Sequence, residues 1–246
     1  MKHEKGAVRL DKLLSNLGYG TRREMQTVIK MGAFEVDGEE MRDPSSKIGP
    51  SQLRDSEVLY DGEPLDPISP ITLIMNKPEH YVSSHTDKDG PSVFDFLPYR
   101  FRMRSPKISI AGRLDMDSTG LLIFTDDGEL LHRLTHPKSH ARKIYQVEVR
   151  DPLSGKEEDL FGSGEVMLTG EEKPLKPVEF EKLSDKTCRL VLTEGRYHQI
   201  KRMFEHLGNE VVKLHREKIS FLTLGSLKPG EWRYLDEKEY EDLKNG

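Results

Sequence analysis

The pattern of apolar positions at the start of the chain predicts two short helices followed by small strands. Leucines recur at helical spacing between residues 10 and 17, and the glycine after them is placed to end the helix. Thr21 and Glu24 have the spacing of a capping box that opens a second helix. The pairs Asp37-Gly38 and Asp61-Gly62 predict tight hairpin turns. These features predict a compact unit within roughly the first 60 residues.

The rest of the chain alternates irregularly between strand and helix patterns. Strands are predicted at 71–75, 121–124, 143–149, 178–183, 188–193, 211–214 and 219–224. Helices are predicted around 93–97, 130–135 and 200–207, while the acidic, glycine-containing residues 150–176 are expected to form an excursion on the surface. This mixture predicts an α+β fold whose larger part is a mixed, mainly antiparallel sheet flanked by helices.

Three prolines between residues 64 and 70 predict a linker of restricted extension. We therefore expect a small domain at 1–65 and a larger domain at 66–246.

Composition favours a soluble globular protein, because 35% of the 246 residues are hydrophobic and 33% are charged. No run approaches the ~18–20 apolar residues of a membrane span, and the N-terminus lacks the apolar stretch of a secretory signal. The cytoplasm is therefore the expected compartment. The single cysteine, Cys188, lies at the start of an apolar run and is expected to be a strand residue.

The charges are segregated along the chain. The net charge of −5 argues against a nucleic-acid partner, but residues 98–113 carry five basic residues and no acidic one. Residues 196–218 carry six basic residues against three acidic ones. Such segregation can create a positive face on an acidic protein. Ordinary ion pairing at the surface is the alternative explanation.

A dense polar segment at 111–120 runs directly into the apolar residues 121–124. Because buried polar groups need partners, a polar turn joined to a core strand indicates a functional site on a rigid element. A tight surface turn is the alternative interpretation. Asp115, Asp117 and Thr119 also match the first motif of haloacid-dehalogenase-type phosphatases, in which the first aspartate is a nucleophile beside magnesium. That family needs a second acidic pair farther along the chain than Asp126 and Asp127.

A metal site formed by His132, His136 and His140 is not expected. Pro137 breaks their helical register, and no carboxylate or cysteine completes the ligand set.

Residues 8–62 resemble the S4 RNA-binding domain. The resemblance rests on the helix pair, the double arginine at 22–23 and the Val36-Asp37-Gly38 turn, which occur in the family's order. It implies RNA contact through a helix surface that carries Arg22, Arg23 and Lys30.

Residues 71–235 resemble the RsuA branch of the pseudouridine synthases. The ordered motifs that carry this resemblance are Asn76-Lys77-Pro78, Val82-Ser83-Ser84, Gly112-Arg113-Leu114-Asp115, Thr119-Gly120-Leu121-Leu122, Thr125-Asp126-Asp127-Gly128, Lys143-x-Tyr145 and the run from Glu194 to Met203. The resemblance implies that a uracil base is detached from its ribose and rejoined through a ring carbon. This isomerisation requires no cofactor and no metal.

The resemblance also implies roles for individual residues. Asp115 matches the essential carboxylate, and Lys201 matches a basic partner that favours its ionised form. Arg202, the next residue, is an alternative to Lys201. Tyr145 matches the aromatic side chain that stacks on the target base, and Ile200 matches the apolar support beneath it. Two arginines complete the expected RNA contacts: Arg113, at the turn or at a phosphate of the extruded nucleotide, and Arg196.

The implied substrate is ribosomal RNA, with the protein acting as a monomer on free RNA or on an assembling particle. Residues 211–219 and 229–233 most resemble the small-subunit enzymes of the branch, which modify 16S RNA at the uridine conventionally numbered 516. A 23S uridine is the alternative target. Two alternatives of other classes are the magnesium phosphatase and an RNA-binding assembly factor with a vestigial catalytic site.

Overall fold

The computed structural model describes residues 5–136 and 141–245. The described chain forms two compact units. One comprises the residues up to Ile71 together with Leu97–Ile108, and the other comprises Thr72–Phe96 and the residues from Ser109 onwards. The expected division into domains at 65/66, with a linker at 64–70, stays a prediction. None of the described helices is long and apolar enough to cross a membrane.

The first unit contains the two predicted helices and a set of short strands. Its elements are β1 (Val8–Arg9), α1 (Leu10–Asn16), α2 (Arg22–Lys30), β2 (Phe34–Val36), β3 (Glu39–Glu40), β4 (Lys47–Ile48), α3 (Pro50–Asp55), β5 (Val58–Tyr60), β6 (Glu63–Pro64) and a 3-10 helix at Tyr99–Met103. Strands β3-β2-β5-β6 form one sheet, and β1 pairs with β4.

Local sequence signals determine where these elements begin and turn. The Thr21 side chain accepts from the Glu24 backbone N–H and Glu24 accepts from the Thr21 backbone N–H, so the predicted capping box is present. Asp37 and Gly38 both have positive φ, at 51° and 79°, which closes the hairpin between β2 and β3. The leucine stripe of α1 is buried against α2 and β2, as its spacing predicts.

The second unit is built on one large sheet. Its strands are β7 (Thr72–Lys77), β8 (Ser109–Ile110), β9 (Ser118–Thr125), β10 (Lys143–Val149), β11 (Glu179–Lys182), β12 (Thr187–Leu192), β13 (Val211–Ile219), β14 (Leu222–Thr223) and β15 (Trp232–Tyr234). Its helices are α4 (Gly128–Thr135), α5 (Glu157–Gly162), α6 (Gln199–His206), α7 (Glu237–Asn245) and a 3-10 helix at Val93–Phe96.

The strand order is β11-β12-β10-β13-β9-β7-β15, with β14 added to β13 and β8 added to β9. The pairings are antiparallel apart from β13 with β9, which is parallel. The predicted mixed, mainly antiparallel sheet is therefore confirmed. Cys188 lies buried in β12, where burial raises the pKa of its thiol to about 12.

Several expected strands have different limits in the structure. Strand β7 continues to Lys77, and β9 begins at Ser118, so both reach into polar motifs that the sequence pattern placed outside the sheet. Residues 211–214 and 219–224 were expected to be two separate strands. Instead β13 is a single strand of nine residues, and Ser220, at a φ of 54°, turns the chain into β14.

The expected surface excursion at 150–176 is wrong. This segment contributes five buried side chains to the core beneath β10 and β12: Leu153, Phe161, Val166, Leu168 and Leu175. Their apolar side chains are spaced too widely to produce a helical or strand period. Tertiary packing, rather than local periodicity, therefore buries them.

Candidate active site

A pocket of about 840 Å³ lies in the second unit, above β10, β13 and the turn that precedes β9. This volume falls within the roughly 300–1,000 Å³ that is common for ligand sites. Six of the predicted site residues line it: Arg113, Asp115, Tyr145, Arg196, Ile200 and Lys201. The structure thus brings together side chains that are up to 88 positions apart (201 minus 113) in the sequence.

The turn that carries Asp115 is held from beneath by Lys77, at the end of β7. The Lys77 side chain is fully buried. Its Nζ donates to three carbonyl oxygens, those of Pro78 (2.9 Å), Met116 (3.3 Å) and Ser118 (2.7 Å). Burial lowers the pKa of Lys77 to about 8, although the negative charges of Asp117 and Asp115 act to raise it. Lys77 therefore fixes the backbone on both sides of Asp117.

Ser83 holds the other side of the same turn. Its hydroxyl donates to the Leu114 carbonyl oxygen at 2.7 Å and accepts from the Leu114 backbone N–H at 3.1 Å. The Ser83 hydroxyl thus acts as both donor and acceptor towards Leu114, the residue next to Asp115. In the sequence, Lys77 and Ser83 stand out only as parts of motifs, and the motifs alone do not reveal these roles. The position of Lys77 at the end of an apolar strand is the sequence feature that could have indicated its role.

Lys201, in the first turn of α6, lies between the two carboxylates of the turn. Its Nζ is 2.7 Å from each carboxylate oxygen of Asp117 and 3.5 Å from Oδ2 of Asp115. The resemblance implies Lys201 as the partner of Asp115, whereas its shorter contacts in the structure are to Asp117. The cation is therefore shared.

The electrostatics follow from this sharing. Burial opposes the charged form of Lys201, but hydrogen bonding and charge from Asp117, with a smaller contribution from Asp115, raise the pKa of Lys201 above its ordinary value. Burial likewise opposes ionisation of Asp117, yet the hydrogen bond and charge of Lys201 lower the pKa of Asp117. At neutral pH the pair is thus a cation beside an ionised carboxylate.

His198 is a second neighbour of Asp115 that the sequence analysis did not single out. Its Nε2 lies 3.4 Å from Oδ1 of Asp115. The residue has a left-handed backbone, with φ at 48°, immediately before α6. Its ring also stacks on the exposed ring of Tyr197, with centroids 3.8 Å apart. Asp115 therefore has a potential proton donor on one oxygen and the ammonium of Lys201 on the other.

Tyr145 lies on β10 with its ring facing the pocket and 8% of its surface exposed. Opposite it on β13 is Arg216, whose Nη1 donates to the Tyr145 hydroxyl at 3.4 Å. The Arg216 side chain is only 2% exposed. The sequence pattern does not single out Arg216, because it predicts two separate strands with residues 215–218 between them. Arg216 follows the buried Leu214 by two residues. In one continuous strand, residues two apart lie on the same face, so burial of Arg216 would then be predicted.

Ile200 is 4% exposed and packs in the core while lining the pocket. The apolar stripe of α6 anchors the helix on the sheet, and Gln199 fixes its start by accepting from the Arg196 backbone N–H at 2.9 Å. This packing places Lys201 at the pocket rather than in solvent.

Arg196 and Arg202 both hold the loop before β11. Arg196 pairs with Glu171 (3.2 Å) and Glu194 (3.3 Å), and Arg202 donates to Glu171 at 2.9 Å and to the Thr169 carbonyl oxygen at 2.6 Å. Arg202 does not line the pocket, whereas Arg196 does. The geometry thus favours Lys201 over Arg202 as the partner of Asp115, and an RNA-contacting role for either arginine stays a prediction.

The predicted RNA-contacting residues of the first unit lie on α2. Arg23 and Lys30 are exposed on this helix. Arg22 is partly engaged, because its Nη2 lies 3.1 Å from Oδ2 of the buried Asp11. Asp11 also accepts from Arg9, and these hydrogen bonds lower the pKa of Asp11 despite its burial.

Asp127, the second residue of the pair Asp126-Asp127, has a structural role. Asp127 caps α4 by accepting from the backbone N–H groups of Glu129 (2.8 Å) and Leu130 (3.2 Å), and it also accepts from the hydroxyl of Tyr240. Within residues 5–136 and 141–245, no three His, Cys, Asp or Glu side chains are grouped as a metal site. His140, one of the three histidines considered above, lies outside the described residues.

Comparison with known families agrees with this arrangement. Residues 71–206 match the family described as RNA pseudouridylate synthase, and residues 8–53 match the S4 domain. A solved structure described as a pseudouridylate synthase is 38% identical, with a TM-score of 0.66, and the match covers 96% of this chain and 99% of that one. The phosphatase alternative finds no support in these matches.

Curated relatives match almost end to end. The ribosomal small subunit pseudouridine synthase A of Pasteurella multocida is 40% identical over 94% of this chain and 97% of its own length. The protein of the same name from Escherichia coli strain K12 is also 40% identical, over 94% and 98%. An uncharacterized RNA pseudouridine synthase of Aquifex aeolicus is 39% identical, over 96% of both chains. The chain, with an S4 domain ahead of its catalytic region, belongs to the RNA pseudouridylate synthase family.

Proposed function

We propose that this protein converts one uridine of small-subunit ribosomal RNA to pseudouridine, with Asp115 as the catalytic carboxylate. The observation that carries the proposal is the pocket that gathers Asp115, Lys201 and Tyr145 from three separate segments of the chain. The target is the 16S uridine conventionally numbered 516.

The reaction breaks the bond between the ribose carbon and a ring nitrogen and forms a bond from the same ribose carbon to a ring carbon. The ring carbon loses a proton and the ring nitrogen gains one, so the product is an isomer of the substrate. Asp115 is the nucleophile or the group that assists elimination. Lys201, at 3.5 Å, places a positive charge beside this carboxylate, and His198, at 3.4 Å, is placed to move protons during the reaction.

The ring of Tyr145 is the stacking surface for the uracil, and Ile200 supports the base from below. Both side chains are at least nine-tenths buried, so their positions are set before the base arrives. Extrusion of a base from its stack costs a few kcal/mol. Stacking on a preformed apolar surface offsets part of this cost, worth about 1–3 kcal/mol per base.

The choice of RNA rests on the relatives. The relatives from Pasteurella multocida and Escherichia coli, each 40% identical, are named for the small ribosomal subunit, and they match this chain over nearly its whole length. The S4 domain supplies a second RNA-binding surface on the same chain, with Arg23 and Lys30 exposed on α2. A tethered second contact raises the effective affinity for one RNA without any change at the catalytic pocket.

The test is a map of pseudouridine in ribosomal RNA from cells with and without the gene for this protein. We expect one position of 16S RNA to be lost, the uridine numbered 516. Expression of the wild-type protein should restore it, and the Asp115→Asn variant should not.

Loss of a 23S position instead would move the substrate to the large subunit. Unchanged maps of both RNAs would refute the proposed function, and rescue by Asp115→Asn would refute the role of Asp115.

A further inference from the structure

Two cationic side chains on neighbouring strands face the pocket without a carboxylate between them. Lys143 and Tyr145 lie on the same face of β10, and Tyr145 pairs directly with Arg216 on β13. Lys143 and Arg216 both line the pocket. Neither residue has a role in the reaction scheme above.

Arg216 has one nitrogen without a partner. Its Nε donates to the Leu121 carbonyl oxygen at 2.7 Å, and its Nη1 donates to the Arg113 carbonyl oxygen at 3.3 Å. Its Nη2 is buried and has no hydrogen-bond partner within the described part of the chain. A buried guanidinium nitrogen left unpaired costs free energy, so a ligand atom at this position is favoured.

Among the residues that the structure describes, the Lys143 side chain makes a single weak hydrogen bond. Its Nζ lies 3.5 Å from the Ala141 carbonyl oxygen, the outer limit of a hydrogen bond. Burial lowers the pKa of Lys143, and the neighbouring charges of Arg216 and Lys176 lower it further. The environment of this ammonium group is thus electropositive.

The carboxylates that line the pocket are already engaged elsewhere. Asp115 lies between Lys201 and His198, and Glu194 binds Arg196 and Gln199. Among the described residues, no acidic side chain pairs with Lys143 or Arg216. The positive charges of Lys143 and Arg216, on adjacent strands, repel each other, and such repulsion is strongest where water is excluded.

An anion placed between the two groups would remove this repulsion and satisfy Arg216 Nη2. Uracil and ribose are neutral, so the anion that an RNA substrate brings is its phosphodiester. We propose that Lys143 and Arg216 form a subsite for a phosphate adjacent to the extruded uridine. This assignment rests on the proposed function, because it takes RNA as the substrate.

The subsite adds a second fixed point to the nucleotide. Tyr145 and Ile200 position the base, whereas Lys143 and Arg216 position the backbone on which that base pivots. Because Arg216 also donates to the Tyr145 hydroxyl and to the backbone of Arg113, phosphate binding would be coupled to both the stacking ring and the turn that carries Asp115.

The test uses three small probes: uridine, uridine 5′-monophosphate and uridine 3′-monophosphate. Their binding to the full-length protein is measured by NMR titration, with the ¹³Cε signal of Lys143 as the local reporter. At least one monophosphate should bind about tenfold more tightly than uridine, the size of one charge-assisted hydrogen bond. Only a monophosphate should shift the Lys143 signal. Equal binding of all three probes would overturn the proposal.

Lys143→Gln should remove most of this preference for the phosphate, while Lys143→Arg should keep it. Lys182→Gln is the matched control, since Lys182 is an exposed lysine on β11 that pairs with Asp185 at 3.1 Å. A preference that survives Lys143→Gln unchanged would overturn the proposal. If Lys143→Gln fails to fold, the Lys143 signal in the wild-type titration still decides the question.

RNA binding gives an independent readout. The dependence of affinity on salt should lose about one unit of slope in Lys143→Gln and none in Lys182→Gln. The nucleotide titration involves no ribosomal RNA and no turnover. Failure of the proposed function, seen as unchanged pseudouridine maps, is therefore distinguishable from failure of the phosphate subsite, seen as loss of the phosphate preference.

Discussion

Gly120 of β9 and Arg216 of β13 lie backbone against backbone, and no side chain fits between them. A Cβ added to Gly120 would lie 2.6 Å from the Arg216 backbone nitrogen and closer still to its carbonyl oxygen. Gly120 also has a φ of 108°, which L-residues with a side chain rarely adopt. This close approach is what allows the parallel pairing of β9 with β13 beneath the pocket.

Gly120→Ala should therefore lower the free energy of unfolding by about 2–4 kcal/mol, because steric overlap and backbone strain add. Urea denaturation followed by circular dichroism measures this. Gly112→Ala is the matched control, since Gly112 has a φ of 85° but nothing within 4 Å of an added Cβ. Gly112→Ala introduces backbone strain without steric overlap, so it should lower the free energy of unfolding by about 1–2 kcal/mol. Equal losses in the two variants would contradict the packing argument.

The two carboxylates near Lys201 should differ in their effect on activity. Asp115→Asn should lower the rate of pseudouridine formation by about 10³-fold or more, because the proposed catalytic carboxylate is removed. Asp117→Asn should cost about tenfold or less, because Lys201 keeps Asp115 as an acceptor at 3.5 Å. Single-turnover assays on a defined RNA measure both rates. An Asp117→Asn variant as inactive as Asp115→Asn would show that Asp117 takes part in the chemistry.

Lys77 should titrate well below an ordinary lysine. Its pKa of about 8, lowered by burial from 10.5, is measurable from the ¹³Cε shift as a function of pH. Lys201 provides the internal comparison, since its carboxylate neighbours raise its pKa above 10.5. A Lys77 signal that titrates near 10.5 would contradict the expected desolvation.

The Lys77 shift has a defined consequence for stability. Between pH 8 and 10.5 the unfolded chain keeps a proton on Lys77 that the folded protein has released. The contribution of this group to the free energy of unfolding should therefore rise with pH across that window and be constant below it. Comparison of the unfolding curves of the wild type with those of Lys77→Met isolates this contribution.

Replacement of Lys201 should be visible at Asp117. In Lys201→Met the carboxylate loses its hydrogen bonds and its cation while remaining partly buried, so the pKa of Asp117 should rise. Lys201→Arg keeps the charge and should leave the pKa of Asp117 below its ordinary value. Carboxyl ¹³C titration measures the change. Pseudouridine formation should fall strongly in Lys201→Met and be retained in part in Lys201→Arg.

Local signals predicted much of the fold. The capping box at Thr21, the Asp37-Gly38 hairpin and the limits of β10 are all present in the structure, because each depends on residues close together in the sequence. The buried segment 150–176 was not predicted. Its apolar side chains are buried by contact with distant strands, and such contacts leave no local period.

In the candidate site too, residues in local motifs were predicted, whereas contacts between distant segments were not. Asp115, Tyr145 and Lys201 were predicted from motifs, and the structure places all three around one pocket, while their roles stay predictions. Arg216 was missed because the polar residues around it obscured the alternation of β13. Lys201 Nζ lies 3.5 Å from Asp115 and 2.7 Å from Asp117. No sequence pattern specifies a difference between two contact distances that is smaller than 1 Å.

The proposed catalytic groups belong to two halves of one sheet. Asp115 precedes β9, Tyr145 lies on β10, and β13 stands between them. These halves are joined by the parallel ladder in which Leu214, His215 and Arg216 pair with Ser118, Thr119 and Gly120. The ion pairs of Lys201 and the hydrogen bonds from Arg216 to the Leu121 and Arg113 carbonyl oxygens add to this connection. Opening of this short ladder would separate Asp115, the proposed catalytic carboxylate, from Tyr145, the proposed stacking ring, while each half stayed folded. Amide hydrogen exchange at these positions would therefore report the fraction of enzyme that is assembled for catalysis.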